Sequence, residues 1–362
     1  MAKVVDGSVR TLGPNAAKKA VRLALKVRRP IFIHGAPGIG KSDIIHAIGE
    51  ETGRPVIDVR LALWDPTDLK GVLHFNPNLG TTAWSAPPEL PSDPNSKAIL
   101  FLDELNSAPP AVQSAAYQLV LNRRVGTYIL PDGVDIVAAG NREGDRGVTY
   151  RIPAPLANRF IHIELKVDFD DWQEWAINHQ VHPEVVGYVS FSQGDLHAYE
   201  AANNSKAFAT PRSWKFLSDL LWDEDSMDSE TLHALAAGTI GDGLATKFMS
   251  HRKVAGQLPM PSDIIDGVVT HAKITDISAM YSLTVSMAYE LKQRRDNDVE
   301  GWDLMLDRFF TFMSENFPIE VAIMGARAAI IVYKFVPNAK LMPNWDAFHT
   351  KYGKYFIQAL TA

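Results

Sequence analysis

The apolar segment Ile31-Phe32-Ile33-His34 runs straight into Gly35-Ala36-Pro37-Gly38-Ile39-Gly40-Lys41-Ser42, and a helical pattern follows. No other stretch constrains the chain as much as this strand–loop–helix sequence. The G-x-x-x-x-G-K-S spacing is that of a loop that wraps phosphate groups. Its glycines let backbone N–H groups approach phosphate oxygens. Lys41 has the reach to meet β- and γ-phosphates, and the Ser42 hydroxyl is a ligand for Mg²⁺. The following helix turns its positive dipole end toward the same point. The bland alternative is a Gly/Pro turn that happens to contain Lys-Ser, and the rest of the chain decides between the two.

Further strand signals recur at Val56–Arg60, Ala98–Leu102, Val134–Ala139 and Phe160–Val167, with helical segments between them. Apolar strands alternating with helices predict an α/β fold with a parallel sheet covered on both faces. Pro14-Asn15 opens a first helix with Ala17, Ala20, Val21, Ala24 and Leu25 on one face, and Ala111–Asn122 is a clear later one. Two hairpins are expected to project from the sheet. One spans Val72–Trp84 around Asn76-Pro77-Asn78-Leu79-Gly80, where Phe75 and Trp84 would either pair across the strands or face a partner. The other spans Arg124–Val134 and contains Pro131-Asp132-Gly133. After about residue 167 the strand pattern stops. Helices are expected to begin near Asp168, Ser213, Glu230, Asp276, Trp302 and Ile319, with Asn203-Asn204-Ser205 and Pro259–Pro261 as connections. Trp172, Trp175, Trp214 and Trp222 are expected to pack helices together rather than to stack bases.

Composition narrows the function classes. A chain of 362 residues has room for two or three domains, and 46% hydrophobic with 22% charged residues is ordinary for a globular protein. With no cysteine, disulfides and Cys-based zinc sites are excluded, which fits a reducing compartment. The first residues, with Lys3 and Arg10, show no apolar leader. No apolar run reaches the ~18 residues needed to span a bilayer; Val321 to Val336 is broken by Arg327 and Lys334. A cytoplasmic location is therefore expected. The 11 histidines are scattered and form no H-E-x-x-H, so no metal site other than one for Mg²⁺ is expected. The net charge of -6 argues against wholesale nucleic-acid binding. Residues 1–60 nevertheless carry 11 Lys/Arg against five acids, an excess best explained by a solvated helix face.

Four further segments carry chemistry. Ile99-Leu100-Phe101-Leu102-Asp103-Glu104 is an apolar strand that delivers two acids to its C-terminal edge, where α/β ligands bind. Asp103 would serve Mg²⁺ and Glu104 would orient and polarise an attacking water. Ile136-Val137-Ala138-Ala139-Gly140-Asn141 ends in an amide that could bond that water or the γ-phosphate; a turn-forming Asn is the alternative. Leu156-Ala157-Asn158-Arg159-Phe160 and Thr210-Pro211-Arg212-Ser213 each place an arginine at an element boundary. Lone arginines are usually surface partners. Following the other three segments, one could reach a neighbouring subunit's γ-phosphate and the other could sense the subunit's own nucleotide.

The ordered set GAPGIGKS, ILFLDE, AAGN, LANRF and TPRS resembles AAA+ ATPases. Within them it resembles the MoxR-type branch of the helix-2-insert clade. The resemblance rests on Asp103-Glu104-Leu105-Asn106 with Ala108–Gln113, on Tyr150–Leu156 ahead of Arg159-Phe160, on Asp68-Leu69-Lys70-Gly71 with the hairpin after it, and on the Arg124–Val134 hairpin. It covers residues 15 to 222 well and is thin beyond 260. The resemblance implies an α/β core over 1–167 that binds ATP, a helical lid over 168–260 and a helical C-terminal extension over 261–362. It implies that Gly35, Ala36, Pro37, Gly38, Ile39, Gly40, Lys41 and Ser42 hold ATP, that Ser42 and Asp103 serve Mg²⁺, and that Glu104 is the catalytic glutamate. Asn141 would be the first sensor, Arg159 the finger supplied in trans, and Arg212 the second sensor. Where MoxR proteins usually have Pro after the sensor Asn, this chain has Arg142-Glu143-Gly144-Asp145-Arg146, so Arg142, Arg146 and Arg151 compete with Arg159. The expected protein is an ATP-hydrolysing chaperone acting on a protein client as a homo-oligomeric ring, six-membered by the resemblance, with a von Willebrand A domain adaptor. A nucleic-acid-directed motor or loader is the second reading, supported only by the basic N-terminal segment.

Overall fold

The computed structural model describes residues 10–78, 80–85, 87–142, 145, 149–199, 206–223 and 227–360. The described residues up to Asp168 form one compact unit and those from Phe169 form another. Among the described residues no helix is long and apolar enough to cross a membrane.

The first unit holds a six-stranded sheet built from β1 (Thr11–Leu12), β2 (Ile31–His34), β3 (Val56–Arg60), β6 (Ile99–Asp103), β9 (Asp135–Gly140) and β10 (Ile161–Leu165). The strand order is β1-β10-β2-β9-β6-β3 and every pairing is parallel. Side chains alternate faces along each strand. Ile31, Ile33, Ile99, Phe101, Val137 and Ala139 therefore meet α1 (Pro14–Lys26) and α2 (Lys41–Thr52) on one face. Phe32, Leu100, Leu102, Ile136 and Ala138 meet Val112, Ala116 and Leu119 of α4 (Pro110–Asn122) on the other. Two short helices, α3 (Pro66–Lys70) and α5 (Ala154–Ala157), complete the unit. On α1, Lys19, Arg22 and Lys26 are exposed, and Lys18 and Arg22 both pair with Glu51. Much of the basic N-terminal segment is thus a solvated helix face.

Both hairpins are present, with corrections. β4 (Val72–Asn76) and β5 (Thr81–Ser85) pair antiparallel, but Trp84 lies opposite Leu73 and Phe75 opposite Thr82. Phe75 and Trp84 are diagonal neighbours on one face rather than a direct pair, and Phe75 is 63% exposed. Leu79, in the turn expected between the strands, lies outside the described residues. The second hairpin is shorter than expected. β7 (Arg124–Val125) and β8 (Tyr128–Ile129) turn at Gly126-Thr127, where Gly126 takes φ +56°. Pro131-Asp132-Gly133 instead makes the turn into β9, with Val134 N–H bonded to Pro131 C=O at 3.0 Å.

The second unit is helical: α6 (Phe169–Asn178), α7 (Pro183–Phe191), α8 (Pro211–Leu221), α9 (Ser229–Ile240), α10 (Asp242–Ala255), α11 (Pro261–Ile265), α12 (Ile277–Asp296), α13 (Trp302–Asn316), α14 (Ile319–Arg327) and α15 (Trp345–Leu360). The connection expected at 203–205 lies outside the described residues. α12 starts where the Asp276 carboxylate accepts the Ala279 N–H at 3.0 Å, a side-chain N-cap. α7 packs closely on α12 because Gly187 has no Cβ; one would stand 2.7 Å from Ser282 Oγ. The largest apolar cluster joins Leu283, Leu306, Phe309, Phe310, Met313 and Phe348. Trp172 and Trp214 are buried as expected. Trp222 is not a core residue: it is 48% exposed, with its ring edge-on to His182 and its N–H on the Gln180 carbonyl.

Candidate functional site

β2, β9 and β6 are neighbours in the sheet, so the segments leaving their C-terminal ends lie side by side. This arrangement brings Gly35–Ser42, Gly140-Asn141 and Asp103-Glu104 to one edge although they are distant in sequence. Gly35 N–H donates to Gly140 C=O at 3.2 Å and ties the phosphate loop to β9. Gly38 and Gly40 take φ +75° and +91°, the left-handed conformations that L side chains resist. A Cβ on Gly35 would stand 2.6 Å from Ile39 Cδ1. α2 begins at Lys41 directly after Gly40, so its first backbone N–H groups face the loop.

Lys41 Nζ donates to Gly35 C=O at 2.7 Å, to Ala36 C=O at 2.9 Å and to Asn141 Oδ1 at 3.1 Å. The loop lysine and the amide at the end of β9 therefore belong to one site. Ser42 Oγ donates to Asp103 Oδ2 at 3.3 Å, and Asp103 is only 7% exposed. A hydroxyl and a carboxylate this close, beside a lysine and a run of helix N–H groups, suit a magnesium-bound triphosphate. Ser42 and Asp103 would hold the metal, whose contribution is neutralisation of phosphate charge. Asp103 Oδ1 accepts the Glu104 N–H at 2.9 Å. Glu104 leaves the strand with φ +54°, a left-handed conformation that costs a non-glycine residue about 1–3 kcal/mol; Arg28 and Arg123 of the same unit share it, but only Glu104 stands beside Asp103. The conformation swings the glutamate off the strand's alternation, next to Asp103.

The arginines differ in how free they are. Arg142 is held by Asp145, which receives its backbone N–H at 3.0 Å and its guanidinium at 3.3 and 3.4 Å. Arg146 lies outside the described residues. Arg151 is exposed and lines a cavity of about 290 Å³ with His34, Asn106, Asn141, Tyr150 and His162. Arg159 is exposed two residues after α5 and two residues before β10, and its side chain makes no ion pair or hydrogen bond among the described residues. Arg212 belongs to the helical unit. It is exposed at the second position of α8, after a capping box in which Thr210 Oγ1 accepts the Ser213 N–H at 3.1 Å.

Sequence reasoning did not pick out two features of the site. One is Asn106, buried at 3% exposure, whose Nδ2 donates to Asn141 C=O at 2.6 Å. The other is a histidine pair: His34 Nε2 and His162 Nδ1 are 2.9 Å apart, and His162 Nε2 lies 2.8 Å from Ala157 C=O. That carbonyl leaves His162 Nε2 as a donor and Nδ1 as acceptor for His34. Burial, then the charges of His162, Arg10 and Lys41, push His34 down to about 4. Scattered histidines gave no signal of this pairing; the adjacency of β2 and β10 creates it.

With this geometry, the likenesses to known proteins fall into place. Residues 30–160 match the family model described as AAA domain (dynein-related subfamily). Midasin from Giardia intestinalis is 28% identical over 204 residues, which cover 53% of this chain and 4% of that protein. The chain therefore spans a small fraction of that relative. Among solved structures, a putative ATPase from Cytophaga hutchinsonii is 14% identical, with TM-score 0.34, covering 67% of this chain and 90% of that one. NtrX from Brucella abortus in complex with ADP is 14% identical, with TM-score 0.39, covering 90% and 69%. The RuvB Holliday junction branch migration motor of Thermotoga maritima is 18% identical, with TM-score 0.36, covering 83% and 87%. The parallel sheet and phosphate loop define a P-loop α/β fold of the AAA+ kind, followed by a helical region. The segment of the α/β unit that matches the AAA domain model, residues 30–160, contains the phosphate loop, the acidic strand end, Asn141 and Arg159.

Proposed function

We propose that this protein is an ATP-hydrolysing AAA+ chaperone of the MoxR type that works as a ring of identical subunits, six by that resemblance, and remodels a protein client. The observation that carries the proposal is the meeting of Lys41, Ser42, Asp103 and Asn141 at one sheet edge, with the strained Glu104 beside them. The loop from Gly35 to Ser42 binds the triphosphate of ATP. Lys41 exchanges its bonds to Gly35 and Ala36 carbonyls for phosphate oxygens. Ser42 and Asp103 hold Mg²⁺. Glu104 orients and polarises the attacking water, and Asn141 holds the water or the γ-phosphate in line.

Arg159 is the finger offered to the neighbouring subunit's nucleotide, because its guanidinium is exposed with no partner among the described residues while Arg142 is engaged by Asp145. Residues 168–260 serve as a helical lid that brings Arg212 to the nucleotide, and 261–362 as an extension that braces the ring or a partner. The exposed face of the β4–β5 hairpin meets the client, and a von Willebrand A domain protein is the adaptor. The cytoplasm is its compartment. The competing nucleic-acid-directed reading loses support from the pairing of Lys18 and Arg22 with Glu51. ATP turnover stimulated by DNA or RNA and suppressed by salt would restore it.

Ring formation is tested by mass photometry of Glu104→Gln with Mg-ATP. The expected species is a closed ring of several copies of the 40.0 kDa chain, which dissociates when ATP is withdrawn. A monomer whose wild-type form turns over ATP at one rate per chain at every concentration would overturn it.

A further inference from the structure

Asn106 is a buried polar residue that the proposed chemistry does not use and that bonds directly to Asn141. Asn106 sits in a short 3₁₀ segment, Leu105–Ser107, launched by the left-handed Glu104, with Ser107 N–H on Glu104 C=O at 2.8 Å. Its Nδ2 donates to the Asn141 carbonyl at 2.6 Å. Its own carbonyl accepts the Tyr150 N–H at 2.6 Å. Its Oδ1 is buried and has no hydrogen-bond partner among the described residues. That oxygen lies over Gly140: a Cβ there would stand 2.0 Å from Asn106 Oδ1 and 2.9 Å from the Phe32 ring.

We infer that Asn106 is a positioning residue that couples the acidic turn to Asn141 and to the segment at Tyr150. An apolar side chain would fill the same space but leave the half-buried Asn141 carbonyl without this donor, an unfavourable outcome. The retained orphan Oδ1 shows that this position is not optimised for packing alone. One amide thus fixes the distance between Glu104, two residues before it, and the side chain of Asn141 that meets Lys41. The same residue holds the backbone at Tyr150, which leads through α5 to Arg159. The approximately 290 Å³ cavity bordered by Asn106, Asn141 and Tyr150 gives this junction room to shift. Gly140 is the other half of the device, because only glycine admits the amide so close.

The inference rests on the hydrolytic reading of the site and deepens it. It is tested with Asn106→Asp, which keeps the shape and replaces the donor by an oxygen facing the Asn141 carbonyl. The expected result is a fluorescent ATP analogue bound with a Kd within about threefold of wild type, an unchanged KM, and a kcat lower by on the order of 10–100-fold, the scale of a slightly misplaced reacting group. Retained nucleotide affinity separates this outcome from partial unfolding, which would lower the binding-competent fraction as well. Gly140→Ala, pressing its Cβ on Oδ1, is expected to repeat the kcat-selective loss. With Asn106→Ala and Gly140→Ala each measured alone, the losses combined in Asn106→Ala/Gly140→Ala should be less than multiplicative, because they act on one contact. If Asn106→Asp does not fold, Asn106→Ser decides by the same split between kcat and Kd. Wild-type kcat in a folded Asn106 variant, or multiplicative losses in the double variant, overturns the positioning role and leaves the hydrolytic reading intact. A wild-type protein that binds but does not hydrolyse ATP removes the reading itself, and the positioning role with it.

Discussion

The α/β unit and the helical unit both have well-filled apolar cores, but they distribute their buried polar groups differently. In the helical unit those groups bond within a helix or tie one helix to another, at separate places. Thr284 Oγ1 returns to the Met280 carbonyl one turn back, and Asp307 accepts both the backbone N–H and the side-chain amide of Asn344. In the α/β unit, Asp103, Asn106, Lys41 and Asn141 converge on one edge, next to a glutamate in a left-handed conformation. The helical unit has orphaned polar atoms of its own, Trp172 Nε1, His251 Nδ1 and Thr311 Oγ1 among the described residues, and left-handed residues at Gln180, Asp298 and Lys334, but they are spread over separate helices and turns. In the α/β unit the orphaned Asn106 Oδ1 and the left-handed Glu104 stand two residues apart, at the edge where Lys41, Asp103 and Asn141 meet. Such costs, gathered at one place, mark where chemistry is built.

The contrast can be broken most forcefully at the arginines. Arg159→Ala should leave ATP affinity intact and lower turnover by about 10³–10⁵, the scale for a finger in related phosphoryl-transfer systems. Arg142→Ala should do much less, since Asp145 already holds that side chain. Mixing Arg159→Ala with Lys41→Ala should recover turnover, because one subunit keeps a sound loop and the other a sound finger. No recovery on mixing would place the finger in cis or elsewhere.

The helical unit should answer in stability instead. Phe310 is 1% exposed, with rings of Phe309, Trp345 and Phe348 at 4.7–5.3 Å. Phe310→Ala should cost about 3–5 kcal/mol in denaturant unfolding. A loss below about 1 kcal/mol would show that this cluster is not the unit's core.

The smallest expected effect is shared by both units. Burial first, then His162, Arg10 and Lys41, holds His34 at about 4 in one unit, and burial first, then Arg252, holds His182 at about 4 in the other. Between the unfolded value near 6.5 and about 4, the unfolded chain takes up protons that the native protein refuses. Stability is therefore full above about pH 6.5 and falls as pH drops toward 4. Thermal midpoints should decline over that window, and His34→Gln should flatten the decline for the α/β unit. A midpoint constant from pH 7 to 4.5 would contradict both shifts.

Much of the α/β unit was legible in the sequence. Ile31–His34 and Val56–Arg60 are strands with the expected bounds, because short apolar runs end abruptly at turn residues. Lys41, Ser42, Asp103 and Asn141 were legible as candidates by spacing, and the strand order then places them together. The two-residue β1 gave no signal because it is too short to show alternation. The turn at Gly126-Thr127 was hidden behind the stronger Pro-Asp-Gly signal nearby. In the helical unit, α7 carries Val185, Val186 and Val189, β-branched residues that mask a helix; its packing on α12 overrides propensity. Glu104 and Asn106 were illegible as a device because no local pattern encodes a left-handed glutamate or an amide over Gly140. Only the meeting of β6 and β9 creates them.

The central claim is that the edge formed by Gly35–Ser42 and Asp103-Glu104 hydrolyses ATP. It is tested most directly by measuring phosphate release and nucleotide affinity side by side for the wild type and Glu104→Gln. The account predicts ATP bound as tightly by the variant and turnover reduced by about 10²–10³, as when a general base or water-positioning group is removed. Equal phosphate release by the two proteins would contradict it.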